Sequence, residues 1–320
     1  MSKRMAIAVT NQLPVTPAQK FWVRFKKNWQ LHLMVLVPLL YLLLFSYGPL
    51  YGLQIAFKTY SPKMGIPDSP WVGVANWVDF FGYRKWPQLV WNTVAISLYH
   101  LLTFPLPVIL ALTIHINTHK GLAKIAQNIS YIPHFISLVV MMGILFSVLN
   151  PVSGFLGYYY RVIGKVDYDD IRGSTDAFRH LYIWSGVWKG IGWSSIIYLS
   201  ALSGVPEELH EAAKLDGASR LRRVWSIDIP TIMPTIVLLL IMEVGGIMSV
   251  GYQKAYLMQN TQNKEVSELI STYVYTKGIQ SGNNSFGSAV GLLNSLINTG
   301  LVFLANWIAN ALTDGEMGLF

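Results

Sequence analysis

Six stretches of mostly apolar residues punctuate the chain, at roughly 31–54, 89–115, 129–149, 181–202, 229–250 and 286–309. A helix needs about 20 such residues to cross the hydrocarbon core of a bilayer. In lipid no water is present to satisfy a free backbone N–H or C=O, so stretches of this kind fold as helices. Composition points the same way. Of 320 residues, 52% are hydrophobic and only 12% are charged, about half the charged share of a soluble domain. A disordered chain needs the opposite balance. With no cysteine, a disulfide scaffold, thiol catalysis and cysteine-held metals are excluded. The net charge of +8 fits lysine and arginine at lipid headgroups better than nucleic-acid binding. The expected fold is an all-α polytopic membrane protein with six transmembrane helices.

The apolar run 5–9 is too short for the core of a removable signal peptide, so none is expected. Within residues 17–30, Phe21, Trp22, Phe25 and Trp29 interleave with Lys20, Arg24, Lys26 and Lys27. That pattern predicts an amphipathic helix lying in the membrane interface. Charge gives a weak vote on orientation: twelve Lys and Arg on the expected inner segments against eleven on the outer loops. Close to the first span the vote is clearer, since Arg24, Lys26 and Lys27 precede it and only Lys58 follows closely. Both termini are therefore expected in the cytoplasm. Three regions follow: a cytoplasmic segment 1–30, a six-helix domain 31–310 with an inner loop 203–228, and a tail 311–320. The long loops 55–88, 150–180 and 251–285 then face outward.

The inner loop between the fourth and fifth spans differs from everything around it. Pro206 suits a helix start, and Glu207, Glu208 and Glu211 suit the turns where the helix dipole is positive. Gly217 can take the left-handed conformation that ends a helix. Residues 219–226, with Arg220, Arg222 and Arg223, predict a second, basic helix, and Pro230 and Pro234 follow.

The spacing Glu211-Ala212-Ala213-x-x-Asp216-Gly217-Ala218, then eight residues, then Ile227-x-Ile229-Pro230, resembles the EAA loop of permease subunits in binding-protein-dependent ABC importers. Ile229 stands where the family usually has Leu. A second stretch, Tyr47 to Phe57 with Gly65 to Gly73, resembles permeases for complex oligo- and polysaccharides. The likeness extends over essentially the whole chain and implies the type I permease fold. It also implies a second permease subunit, two ATPase subunits carrying ATP and magnesium, an external solute-binding protein and a carbohydrate substrate. By this resemblance the loop is a coupling helix docking in an ATPase cleft. Ala212 and Ala213 would allow close approach, Glu211 would pair with an ATPase arginine, Asp216 would cap the turn, Gly217 would permit the bend and Ala218 would complete it. The chain lacks its own phosphate cradle: its one Gly-Lys pair, Gly164-Lys165, is followed by Val166 and lacks the earlier glycine of a P-loop.

Polar groups within the spans are candidates for a transport path. Trp184 and Trp188 share a helix face, and with Trp193 they offer rings to the C–H faces of a sugar. Lys189 would attract an acidic sugar, although it also stands near enough to the outer end to snorkel. Glu243 needs a cavity or a partner. Gly287, Gly291, Ser295 and Thr299 form a small-residue stripe suited to close packing, with Asn294 and Asn298 on another face. His100 and His115, fifteen residues apart, show no metal-binding spacing, so no metal or cofactor is expected on this chain. Two other readings compete. One is an ion-coupled secondary transporter acting alone, with Glu243 and Lys189 as coupling residues. The other is a membrane enzyme, for which no nucleophile–base spacing is present.

Overall fold

The computed structural model describes residues 22, 25–164, 170–313, 315 and 317–319. Part of the expected interfacial helix at 17–30, and part of the expected tail, lies outside the described residues. The chain separates into two units, 1–54 and 55–320. Among the described residues there is no strand, only a single bridge between Lys58 and Trp71.

The first unit is dominated by α1 (Trp29–Leu42), which continues through a π turn at Leu43–Tyr47 into a 3-10 segment beginning at Gly48. None of residues 29–47 is buried, and a helix apolar on all sides is suited to lipid. Pro38 sits inside it and removes one backbone hydrogen bond.

In the second unit, α2 (Trp86–Leu102) and α3 (Pro105–His115) form one candidate span, Trp86–His115. The expected third span is not one straight helix. Instead α4 (Lys120–Tyr131) runs through a 3-10 turn at Ile132–Phe135 and meets α5 (Leu138–Val148) at a bend of 103°. The cause is local. Pro133 has no N–H to extend α4, Ile136 is extended, and the Ser137 hydroxyl accepts from the Val140 N–H to start a new helix.

Helix α6 (Thr175–Leu202) runs for 28 residues, capped by the Ser174 hydroxyl. It is the axis of this unit and packs on α3, α4 and the helices that follow. Gly192 permits the crossing with α4: a Cβ there would lie 2.1 Å from the Ser130 carbonyl oxygen. The inner loop forms α7 (Glu207–Leu215), and then the chain enters α8 (Ile229–Gly245), α9 (Tyr252–Met258) and α10 (Asn284–Leu312).

Four helices are long and apolar enough to span a membrane, and the bent pair makes a fifth. At 28 residues α6 has the length of a span, but it carries Asp176, Arg179 and Lys189 and falls short on composition. Three buried clusters hold this unit together: one around Met142, Phe178 and Leu269, one around Phe80, Phe286 and Val290, one around Ala111, Tyr198 and Ile232. Lipid tails are as apolar as leucine, so between membrane helices such clusters act through close packing rather than through release of water.

Candidate functional site

The EAA loop is built by cap chemistry. Glu207 and Glu208 occupy the first turn of α7 and Lys214 the last, each matching the helix dipole. Gly217 has φ +77°. Its N–H bonds the Lys214 carbonyl at 3.1 Å, and the Ala218 N–H reaches back to Ala213 at 2.9 Å. This pair of bonds is the Schellman ending, and the left-handed residue it requires is glycine. Ser219 then accepts from the Arg222 N–H at 3.3 Å and opens the next helix. The expected separate basic helix is instead the first turn of the fifth span. Arg220–Gly245 runs as one 26-residue helix, through a π turn at Val224–Asp228. Pro230 and Pro234 lie just beyond that turn, where missing N–H groups relax the usual bonding.

Glu211, Ala212, Asp216 and Gly217 are exposed, while Ala213 and Ala218 are half-buried. Leu215 is 90% exposed. Leu209, Leu221 and Trp225 add apolar surface around the loop.

At the other end of α8, Glu243 lies in the last turn of the helix. Its carboxylate is 2.7 Å from His100 Nδ1 on α2. This pair borders a cavity of about 660 Å³, also lined by Trp193, Tyr198 and Pro107. His100 and Glu243 border a second cavity of about 270 Å³ too, which holds Lys254 of α9. The Lys254 ammonium bonds the Tyr182 carbonyl and lies 4.4 Å from the centre of the Tyr182 ring. Burial pushes its pKa down to about 7.

The other path candidates are scattered. Trp184 and Trp188 line an apolar hollow against α5, with Met141, Leu145 and Val148. The Trp184 indole N–H donates to the Tyr99 hydroxyl, itself 2.8 Å from His180 Nδ1. Lys189 donates to the His134 carbonyl at 2.7 Å, and Trp193 stacks on the His134 ring at 4.3 Å. One turn apart on α6, these two side chains clamp the α4–α5 bend. Asn298 accepts from the Met248 N–H and donates to Ser249, closing the end of α8. Asn294 is half-buried and does not line the 660 Å³ cavity. In the small-residue stripe, Gly287 meets Gly278 backbone to backbone, whereas Ser295 and Thr299 bond back within α10.

Sequence reasoning missed His100 as the partner of Glu243, and it missed Lys254. It also set His115 aside from any cluster, yet the fold brings His115 to His210 and Asp228. A polar side chain within an apolar stretch was the available signal for the first pair. No signal in linear spacing marked the trio.

A bundle of long apolar helices, with a capped polar loop at one end and a mostly apolar cavity bordered by a histidine–glutamate pair at the other, defines a multi-pass membrane permease. Residues 103–314 match the family of binding-protein-dependent transport system inner membrane components, and the chain belongs to that family. It is 38% identical to the polygalacturonan/rhamnogalacturonan transport system permease protein YteP of Bacillus subtilis, over 94% of both chains. It is also 38% identical to Protein LplB of the same organism, over 96% of this chain and 97% of that one. Among solved structures it is similar to a chain of a bacterial ABC transporter involved in the import of the acidic polysaccharide alginate. The TM-score is 0.83 at 34% identity, covering 92% of this chain and 99% of that one. A second structure of such a transporter, in complex with an alginate pentasaccharide-bound periplasmic protein, gives 0.83 at 33% identity over 94% and 100%. These likenesses extend along nearly the whole chain and confirm the type I permease fold. They argue against a secondary transporter acting alone and against a membrane enzyme, since permeases are non-catalytic subunits.

Proposed function

We propose that this chain is one permease subunit of an ATP-driven importer of acidic oligo- or polysaccharide, coupled to separate ATPases through residues 206–218. The observation that carries the reading is the state of α7. The family motif lies on a short helix closed by a Schellman ending, and its Glu211, Asp216 and Leu215 are exposed. With Leu209, Leu221 and Trp225 also exposed, Leu215 adds to an apolar surface around the loop of the kind that supports a protein contact. In this reading Glu211 meets an arginine of the ATPase, Ala212 and Ala213 allow close approach, and Gly217 fixes the turn with Asp216 and Ala218. The loop then lies on the cytoplasmic side, with residues 1–30 and 311–320.

The assembly comprises a second permease, two ATPases binding ATP and magnesium, and an external solute-binding protein. The substrate class is supported by the relatives, whose names and titles specify polygalacturonan, rhamnogalacturonan and alginate. It is supported as well by Lys254, a basic side chain lining the smaller cavity. Trp193 and Glu243 are the proposed path residues. Trp184, Trp188, Lys189 and Asn298 hold the bundle in shape, and Asn294 is kept as a more distant path candidate.

The test is ATP hydrolysis and uptake by the reconstituted assembly. Glu211→Lys and Gly217→Pro are expected to lower substrate-stimulated hydrolysis and uptake at least tenfold, with the permease still folded in the membrane. Normal coupling in both, or uptake by this chain without an ATPase, overturns the reading.

A further inference from the structure

We propose that His115, His210 and Asp228 form a binding site for a divalent transition-metal ion of the zinc class, tying the EAA helix to the second and fifth spans. The three residues come from separate elements: the C-terminal end of α3, the exposed helix α7, and the π turn that leads into α8. One ligand atom from each lies within 4.8 Å of the other two. His210 Nε2 is 3.0 Å from Asp228 Oδ1, and His115 Nε2 is 3.8 Å from the same oxygen. Donors about 2.0–2.1 Å from a tetrahedral zinc stand roughly 3.3 Å from one another, so these two separations bracket the spacing that a shared ion imposes.

The second observation is independent of spacing. The Asp228 side chain is fully buried, and neither of its oxygens accepts a hydrogen bond; buried His210 Nε2 makes none either. At 3.0 Å the imidazole nitrogen stands within ion-pair distance of the carboxylate oxygen, yet no hydrogen bond joins the two. A buried carboxylate that accepts no hydrogen bond is costly, and a bound ion is among the recognised reasons for one. Lys120, Lys214, Arg220 and Arg223 line the surrounding cavity of about 400 Å³. Among the described residues no Lys or Arg nitrogen comes within 4 Å of Asp228, whose ion-pair neighbours are the two histidines.

The donor set selects the metal. Two imidazoles and one carboxylate suit zinc, cobalt or nickel and leave a fourth position for water. Calcium and magnesium need more oxygens than are present. The ion would join α7 to the end of α3 and to the turn that leads into α8. That it stiffens coupling rests on the function proposed above; that it binds does not.

Cobalt(II) is the probe. The assembled transporter, purified without a histidine tag and stripped with chelator, is titrated and read by visible absorption and metal content. About one tetrahedral cobalt per copy of this chain is expected, displaced by zinc. Signal is expected to fall to background in His210→Gln and in Asp228→Asn, and to stay unchanged in His100→Gln at the cavity pair. Absence of tetrahedral cobalt in the wild type overturns the site; the carboxylate is then left to a rearranged neighbour such as Arg223. So does full retention in both ligand variants. Should those variants fail to assemble, the wild-type spectrum, with imidazole nitrogen coupling in the copper-loaded protein, decides alone. Loss of ATPase coupling in Glu211→Lys moves neither readout.

Discussion

Two histidine–carboxylate groups join the same pair of spans, fifteen residues apart on each strand of chain: His100 with Glu243, and His115 with Asp228. At the cavity end the partners are 2.7 Å apart, with side chains 53% and 40% exposed. The acid there has a bonded partner and room for solvent. At the loop end the acid is fully buried, and a second histidine, His210, is drawn in from α7. The same residue types in the same antiparallel pairing thus meet opposite surroundings. One borders an open cavity; the other is enclosed where three elements meet.

The largest expected effect comes from removing one histidine at each end. His210→Ala leaves a buried carboxylate with only the distant His115, and breaking a buried pair in this way costs about 3–5 kcal/mol. His100→Ala leaves Glu243 facing a cavity and is expected to cost under about 1 kcal/mol. Denaturation in detergent reads both, and equal losses would erase the distinction. Smaller, and confined to the cavity end, is the pH response. Lys254 loses its proton near pH 7, so uptake of an anionic saccharide falls between about pH 6 and pH 8; in Lys254→Met uptake is low and flat. Because the unfolded chain keeps that proton up to the ordinary lysine value, the fold gains stability as pH rises from about 7 towards 10.5. A melting series across that window is expected to lose this upward slope in Lys254→Met. Smallest is Ser219→Ala at the loop end, expected to cost about 1 kcal/mol through loss of a helix cap, without changing the substrate concentration dependence of uptake.

What could be read from the chain was what short-range chemistry decides. The glutamates of α7, the Gly217 ending and the apolar spans follow from neighbours in sequence. The α4–α5 bend was legible in principle, because Pro133 and Ser137 announce a stop and a start; the apolar run around them concealed it. Residues 219–226, with their three arginines, were expected to form a separate basic helix ahead of Pro230. The π turn absorbs that break and keeps the span continuous. Glu243 was visible as an oddity, but its partner was not, since His100 sits in a different span. The trio at His115 is further from view: its members are separated by 95 and 18 residues, and only the crossing of three helices assembles them. Lys189 and Asn298 show the converse. Their polarity attracted a transport role, while the fold engages them with backbone groups.

The unbroken run from Arg220 to Gly245 has a mechanical consequence. At 1.5 Å per residue, 26 residues make a rod about 39 Å long. Its foot is set beside Gly217 and its head carries Glu243. Tilting such a rod by about 10° swings its far end roughly 7 Å, more than the width of a sugar hydroxyl and its bond. Small torque at the foot therefore becomes a large stroke at the head, where Glu243 borders the larger cavity, and a stiffer ankle at Asp228 delivers more of it.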